Sequence, residues 1–170
     1  MILYPKIYLN NIKEITTTLL EENNIKGLIL DVDNTLIDSN KNVIEGIDEW
    51  TERIKKQNIK LCILSNSNNK NKVKNIANKL DIPYIFLAMK PLKRGFKKAK
   101  KILNLEYEKI GVVGDQIFTD VLGANRCKMK SILVKPLTEK DIFFVTNLVR
   151  KLEKKILKKS NIETNNFKNL

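Results

Sequence analysis

The chain has 170 residues, a formal net charge of +13, two cysteines and no histidine. Without an imidazole, Ser-His-Asp and Cys-His catalysis and histidine-ligated zinc are excluded, so any chemistry here runs on carboxylates, hydroxyls, amides and lysines. The length suits one domain with a real core, no apolar run approaches the roughly 18 to 20 residues of a membrane-spanning helix, and "MILYPKIYLNNIKE" is too polar for a secretory signal.

A soluble, cytoplasmic protein is therefore expected. Cys62, inside "IKLCILS", reads as a buried thiol rather than half of a bridge. The basic balance attracts anions: nucleic acid, acidic lipid surfaces or phosphorylated substrates. A chain so rich in Asn, Ile and Lys, whose codons are A/T-rich, reaches such a charge by compositional drift as well, so charge alone names no partner.

In chain order, the first buried strand is "GLILD" (27–31), an apolar run that ends on Asp31 and Asp33. A helix follows, with Ile47, Trp50, Thr51 and Ile54 on one face. Strand "IKLCILS" (59–65) ends at Ser65 and Asn66, and a second helix carries Val73, Ile76, Ala77 and Leu80. Strand "YIFLA" (84–88) leads to Lys90 and Pro91, with Pro91 suited to the first turn of a helix marked by Phe96, Ala99 and Leu103. Strands "IGVVGD" (110–115) and "SILVK" (131–135) complete the set. Strands alternating with helices imply an α/β sandwich around a parallel sheet of about five strands.

The domain is expected to cover 1–159. Its last part, 138–159, reads as a helix with Ile142, Val145, Val149, Leu152 and Ile156 on one face. Arg150, Lys151, Lys154, Lys155, Lys158 and Lys159 surround its end, so it either docks on the sheet with a solvated basic side or touches anionic lipid. Residues 160–170 read as a flexible tail.

In an open parallel sheet, ligands bind beyond the carboxyl ends of the strands. Four such ends carry polar residues in a telling order: Asp31 with Asp33, Ser65 with Asn66, Lys90, and Asp115. Each is an acceptable turn residue by itself, but the set suits phosphoryl transfer through a carboxylate. One Asp attacks phosphorus. Asp33 gives a proton to the leaving alkoxide and later takes one from water. Ser65 and neighbouring amides hold phosphoryl oxygens, and Lys90 neutralises growing charge. A phosphate dianion beside Asp31, Asp33 and Asp115 requires a cation, and hard, oxygen-ligated Mg²⁺ fits, held by Asp31, Asp115 and the Asp33 carbonyl. Asp120 either binds the metal through water or caps the following helix, and reads first as a cap or a supporting acid behind the metal ligands.

"DVDNT", "SN", "KP" and "GDQIFTD" resemble, in order, the four motifs of the haloacid dehalogenase (HAD) superfamily. "LKRGFKKAKKIL" and "GDQIFTDVLGANR" extend the likeness to the YqeG family of subclass IIIA phosphatases, over roughly residues 1 to 158. "SNSNNK" departs from the tighter "SNNN" of relatives, though Ser65 and Asn66 still align. The resemblance implies a Rossmannoid three-layer sandwich, Asp31 as nucleophile, Asp33 as acid/base, Ser65 as phosphate ligand, Lys90 as stabiliser of the intermediate and Asp115 in the metal site.

The spacings from Asp31 to Ser65 and from Ser65 to Lys90 leave no room for a large cap domain, so an open site is expected, suited to a bulky substrate such as a lipid head group or a polymer end, or else closed by a partner subunit. Relatives of this family include phosphatidylglycerophosphatases, which makes phosphatidylglycerophosphate the expected substrate and the inner face of the membrane a place of peripheral contact. Further charge from Lys93, Arg94 or Arg126 sits near Lys90 in sequence. The alternatives are another phosphorylated metabolite or polymer end, or a HAD-fold module that contacts RNA, for which no aromatic RNA-binding motif speaks. A phosphate-accepting receiver domain fits less well, because "KLCILSN" offers no acceptor aspartate.

Overall fold

The computed structural model describes residues 2–138, together with 155, 156 and 158. The expected helix over 138–159 and the tail after it therefore lie outside the described residues, apart from Thr138, Lys155, Ile156 and Lys158. The elements are β1 (Ile7–Leu9), α1 (Thr17–Glu22), β2 (Gly27–Leu30), α2 (Ile47–Lys56), β3 (Lys60–Leu64), α3 (Lys70–Leu80), β4 (Tyr84–Ile85), α4 (Lys93–Leu103), β5 (Ile110–Gly114), α5 (Leu122–Arg126) and β6 (Lys130–Val134). They form one six-stranded parallel sheet in the order β1-β6-β5-β2-β3-β4.

Side chains alternate along each strand, and the core divides accordingly. Leu28, Leu30, Leu61, Ile63 and Val113 face one layer, with Leu20 of α1, Trp50 and Ile54 of α2, and Val73, Ile76, Ala77 and Leu80 of α3. Ile29, Cys62, Leu64 and Val112 face the other, with Phe96, Ala99 and Leu103 of α4 and Ala124 of α5. The predicted helices that are described, α2, α3 and α4, bury the faces their periodicity indicated. Full burial of such a side chain contributes about 1.5 to 3 kcal/mol. Trp50 adds an indole N–H that donates to the Ile15 carbonyl at 3.0 Å. Both cysteines are buried thiols, and burial pushes Cys62 up to about 12.

Three features differ from the expectation. A sixth strand, β1, pairs with β6 at the sheet edge; three half-buried residues are too few to show a pattern. The strand expected over 84–88 ends at Ile85, because the chain turns away at Leu87 and Met89, whose φ angles are 48° and 53°. There the Leu87 and Ala88 amides donate to the carbonyls of Ser67 and Ser65. Pro91, joined to Lys90 by a cis peptide bond, precedes α4 rather than opening it. The Asn66 side chain holds both backbone groups of Lys90, so helical geometry starts only after Leu92.

The order of the sheet positions the site. From β2 the chain proceeds outward to β3 and β4, then crosses back to β5 on the other side of β2. The carboxyl end of β2 is thus flanked by those of β3 and β5, with Leu30 in register with Ile63 and Val113. The residues just beyond those three ends stand at the reversal of strand order, the place where ligands bind in open sheets.

Candidate active site

Asp31 follows the last residue of β2 and is 7% exposed. Its amide donates to the Val113 carbonyl at 2.9 Å, which continues the ladder by one residue and fixes the carboxylate at the strand end. Lys90 enters from the loop before α4, and its buried Nζ lies 2.7 Å from Asp31 Oδ1 and 2.7 Å from Asp120 Oδ1. Asp115 follows β5 and is buried. Acceptor oxygens of Asp31, Asp115 and Asp120 lie within 4.8 Å of one another.

Asp120 reaches this cluster through a single π turn, Ile117–Val121, inserted between β5 and α5. The turn folds the carboxylate back over Gly114. Its Oδ2 accepts from the Gln116 amide at 3.3 Å and the Thr119 hydroxyl at 3.2 Å. Asp120 does not cap α5; its carboxylate shares Lys90 with that of the nucleophile candidate. The π turn is what brings Asp120, five residues after Asp115, back to the strand end.

Gly114 makes the approach possible. A Cβ there would collide with the Asp120 carboxylate. Because Asp120 is already held by Lys90, Thr119 and Gln116, Gly114→Ala is expected to cost about 2 kcal/mol or more and to remove turnover. A thermal melt and a phosphate-release assay check both effects.

Burial pushes the Asp31 carboxyl up to about 6. Lys90 opposes that rise, and the neighbouring Asp120 adds to it. For Lys90, burial alone would lower the ammonium, but the carboxylates of Asp120 and Asp31 outweigh it and hold the group well above its ordinary value. Lys90 is thus a permanent cation in the working pH range.

The remaining candidates surround this centre. Ser65 is fully buried at the end of β3, and its Oγ accepts from the Ser67 amide at 3.1 Å. Asn66 uses its side chain on Lys90: Oδ1 accepts from the Lys90 amide at 2.7 Å and Nδ2 donates to its carbonyl at 3.1 Å. In this geometry the side chain clamps the loop that carries Lys90. The Asp33 carboxylate stands outside the three-acid cluster, with its side chain 49% exposed and 2.7 Å from Lys72 Nζ. Lys72, on the first turn of α3, is a neighbour that sequence reasoning missed; a contact across 39 positions leaves no local signal. Lys93, Arg94 and Arg126 are exposed and make no contact with the acids.

Three buried carboxylates offering only oxygen at this spacing match a hard divalent cation, and the donor chemistry fits the Mg²⁺ expectation without selecting Mg²⁺ over other such ions.

The family model described as "Mitochondrial PGP phosphatase" matches residues 1–138. "Probable phosphatase YqeG" of Bacillus subtilis (strain 168) is 41% identical over 154 residues, covering 90% of this chain and 88% of that protein. Among solved structures, the cobalt-bound deoxy-D-mannose-octulosonate 8-phosphate phosphatase of Haemophilus influenzae aligns with a TM-score of 0.56 at 19% identity, over 80% of this chain and 89% of that one. The 3-deoxy-D-manno-octulosonate 8-phosphate phosphatase of Yersinia pestis aligns with a TM-score of 0.52 at 14% identity, over 88% and 90%. These structures establish the HAD fold. With 41% identity along most of its length and a family match over residues 1–138, the chain belongs to the PGP phosphatase family of HAD-type phosphatases.

Proposed function

We propose that the protein hydrolyses a phosphomonoester through an aspartyl-phosphate on Asp31, and that the ester is phosphatidylglycerophosphate. The observation that carries the chemistry is the buried Asp31 carboxylate at the end of β2, 2.7 Å from a Lys90 ammonium that also binds Asp120. An Asp31 oxygen attacks phosphorus and the ester oxygen leaves. Asp33, half-exposed at the mouth, donates the proton that the leaving alkoxide needs. Water then attacks the acyl phosphate, Asp33 takes its proton, and inorganic phosphate departs with Asp31 restored. Lys90 stays charged throughout and offsets negative charge on the phosphoryl oxygens, which the Ser65 hydroxyl helps to hold.

Asp31, Asp115 and Asp120 would hold Mg²⁺, with the Asp33 carbonyl as a further ligand. The cation would supply charge neutralisation between the carboxylates and the phosphate.

The lipid substrate is supported by the family description and by the open site. Among the described residues, only α2 and a turn containing the isolated bridges Asp33–Ile37 and Ile37–Val43 separate β2 from β3. Only α3 and β4 lie between Ser65 and Lys90. Nothing in either insert is large enough to close over a small metabolite, whereas a bulky head group anchored elsewhere needs no lid. No helix among the described residues is long and apolar enough to cross a membrane, so such a substrate would be reached from the surface.

The test is phosphate release from phosphatidylglycerophosphate in mixed micelles with Mg²⁺, with para-nitrophenyl phosphate in parallel. Turnover on the lipid that stops in excess EDTA and returns with Mg²⁺ is expected. Hydrolysis of para-nitrophenyl phosphate alone would keep the chemistry and refute the lipid. Undiminished turnover in EDTA would refute the metal.

A further inference from the structure

The loop from β4 to α4 breaks local rules in one direction. Leu87 and Met89 hold left-handed φ angles of 48° and 53°, which side chains of their size rarely adopt. Leu92 occupies the N-cap of α4 and makes no capping hydrogen bond, where Ser, Thr, Asp or Asn would. These three residues are also 54%, 53% and 50% exposed, among the most exposed large apolar residues described. Between them, Ala88 and Lys90 point inward and are buried. The loop therefore has two sides: Lys90 reaches the nucleophile, while Leu87, Met89 and Leu92 meet solvent.

The helix that follows adds a second anomaly. Its first turn carries Lys93 and Arg94 and no acid, against the helix dipole, which favours negative charge there. With Lys97, Lys98 and Lys101 they line one shallow depression. All five are exposed, and none forms an ion pair among the described residues. Five like charges without counter-charge repel one another, and the exposed leucines and methionine beside them leave apolar area in water. Violations of this kind are expected where a partner compensates them.

We infer that the β4–α4 loop and the cationic face of α4 form a docking surface for a bilayer containing anionic phospholipid. Leu87, Met89 and Leu92 enter the acyl boundary, and the five cations lie against head-group phosphates, each strengthening binding about fivefold. Apolar tips distinguish this occupant from nucleic acid, which would use the cations and leave the leucines in water. Since Lys90 lies between Met89 and Leu92, docking by this loop brings the active-site mouth to the head-group layer. The inference rests on the lipid-substrate reading above for its purpose, but its test needs no turnover.

Full-length protein is sedimented with vesicles of equal parts phosphatidylcholine and phosphatidylglycerol, and with phosphatidylcholine alone. Binding to the anionic vesicles only is expected. The triple variant Leu87→Ser, Met89→Ser, Leu92→Ser should lose about tenfold or more in partitioning, as should Lys97→Glu, Lys98→Glu, Lys101→Glu, with circular dichroism showing both folded. Vesicle binding by both variants at the wild-type level would overturn the proposal, as would no binding by wild type. Single-stranded RNA that binds wild type while anionic vesicles do not would overturn it in favour of nucleic acid. Self-association that the serine variant abolishes, without vesicle binding, would assign the surface to a second copy. If vesicle binding behaves as expected but phosphatidylglycerophosphate is not hydrolysed, the docking surface stands and the substrate reading falls.

Discussion

Asp31→Asn is expected to lower turnover by about four orders of magnitude or more and, in chelator at neutral pH, to make the protein more stable. The two effects share one origin. Burial at the end of β2 raises the carboxyl to about 6, despite the Lys90 ammonium at 2.7 Å. In the unfolded chain the same group ionises near 4. Between these values the folded state binds more protons than the unfolded state, so stability falls as pH rises through the window. Above it, the ionised carboxylate costs the fold on the order of 2 to 3 kcal/mol. Asparagine resembles the neutral form and does not titrate. The stability advantage of the variant should thus be small near pH 4 and complete above about pH 6. Urea unfolding of both proteins at those two pH values reads the difference directly. A variant less stable than wild type at neutral pH would show that the attraction to Lys90 exceeds the cost of burial. A variant retaining most of its rate would remove Asp31 as nucleophile.

Much of this arrangement is legible in the sequence because its signals are local. Ile47, Trp50, Thr51 and Ile54 repeat at helical spacing, and the structure buries all four. Asp31, Ser65 and Asp115 each follow a strand directly, so identifying the strands places these residues at one edge of the sheet. The features that escaped are set by contacts distant in sequence or by backbone geometry without a period. β1 is a strand only because β6 lies beside it. Asp120 joins the acids only because a π turn and Gly114 admit it. The pairing of Asp33 with Lys72 and the hold of Asn66 on Lys90 both link loops that the sheet brings together.

The sequence also misdirects at 84–91, where it misses local exceptions. "YIFLA" has the composition of a buried strand, yet Tyr84, Ile85 and Phe86 are only half-buried and Leu87 turns left-handed and faces outward before Ala88 turns in. Propensity scores Leu87 and Met89 as interior residues; in the structure they are half-exposed beside the site. This is the pattern expected where local preference is set aside for an external contact. The basic helix expected over 138–159 carried the idea of membrane contact from the sequence; of it Thr138, Lys155, Ile156 and Lys158 are described, with Ile156 packed beside Leu133, Ile117 and Val121. That expectation lies largely outside the described residues, and the surface inferred on α4 neither replaces nor tests it.

Lys90→Met should have the largest effect on stability of any substitution at the site. The methionine fills much of the same volume, but Asp31 and Asp120 then face each other with no ammonium between them. Removing one partner of a buried ion pair costs about 3 to 5 kcal/mol, against a total of about 5 to 15 for most domains. The Asp31 carboxyl, already raised, should climb further, because the influence that held it down is gone. Folding then requires a proton on one of the two acids. The variant should be close to wild type in acid and lose stability as pH rises toward neutrality, a steeper decline than that of wild type. Combining Lys90→Met with Asp31→Asn removes one of the opposed charges. The double variant should therefore be more stable at neutral pH than Lys90→Met alone, and the coupling between the two positions is the strength of the ion pair in place. Equal stability of Lys90→Met and wild type at neutral pH would mean that Lys90 does not hold these acids together. A double variant no better than the single would locate the cost in lost packing, which would leave the lysine a structural strut rather than the charge on which the acids depend.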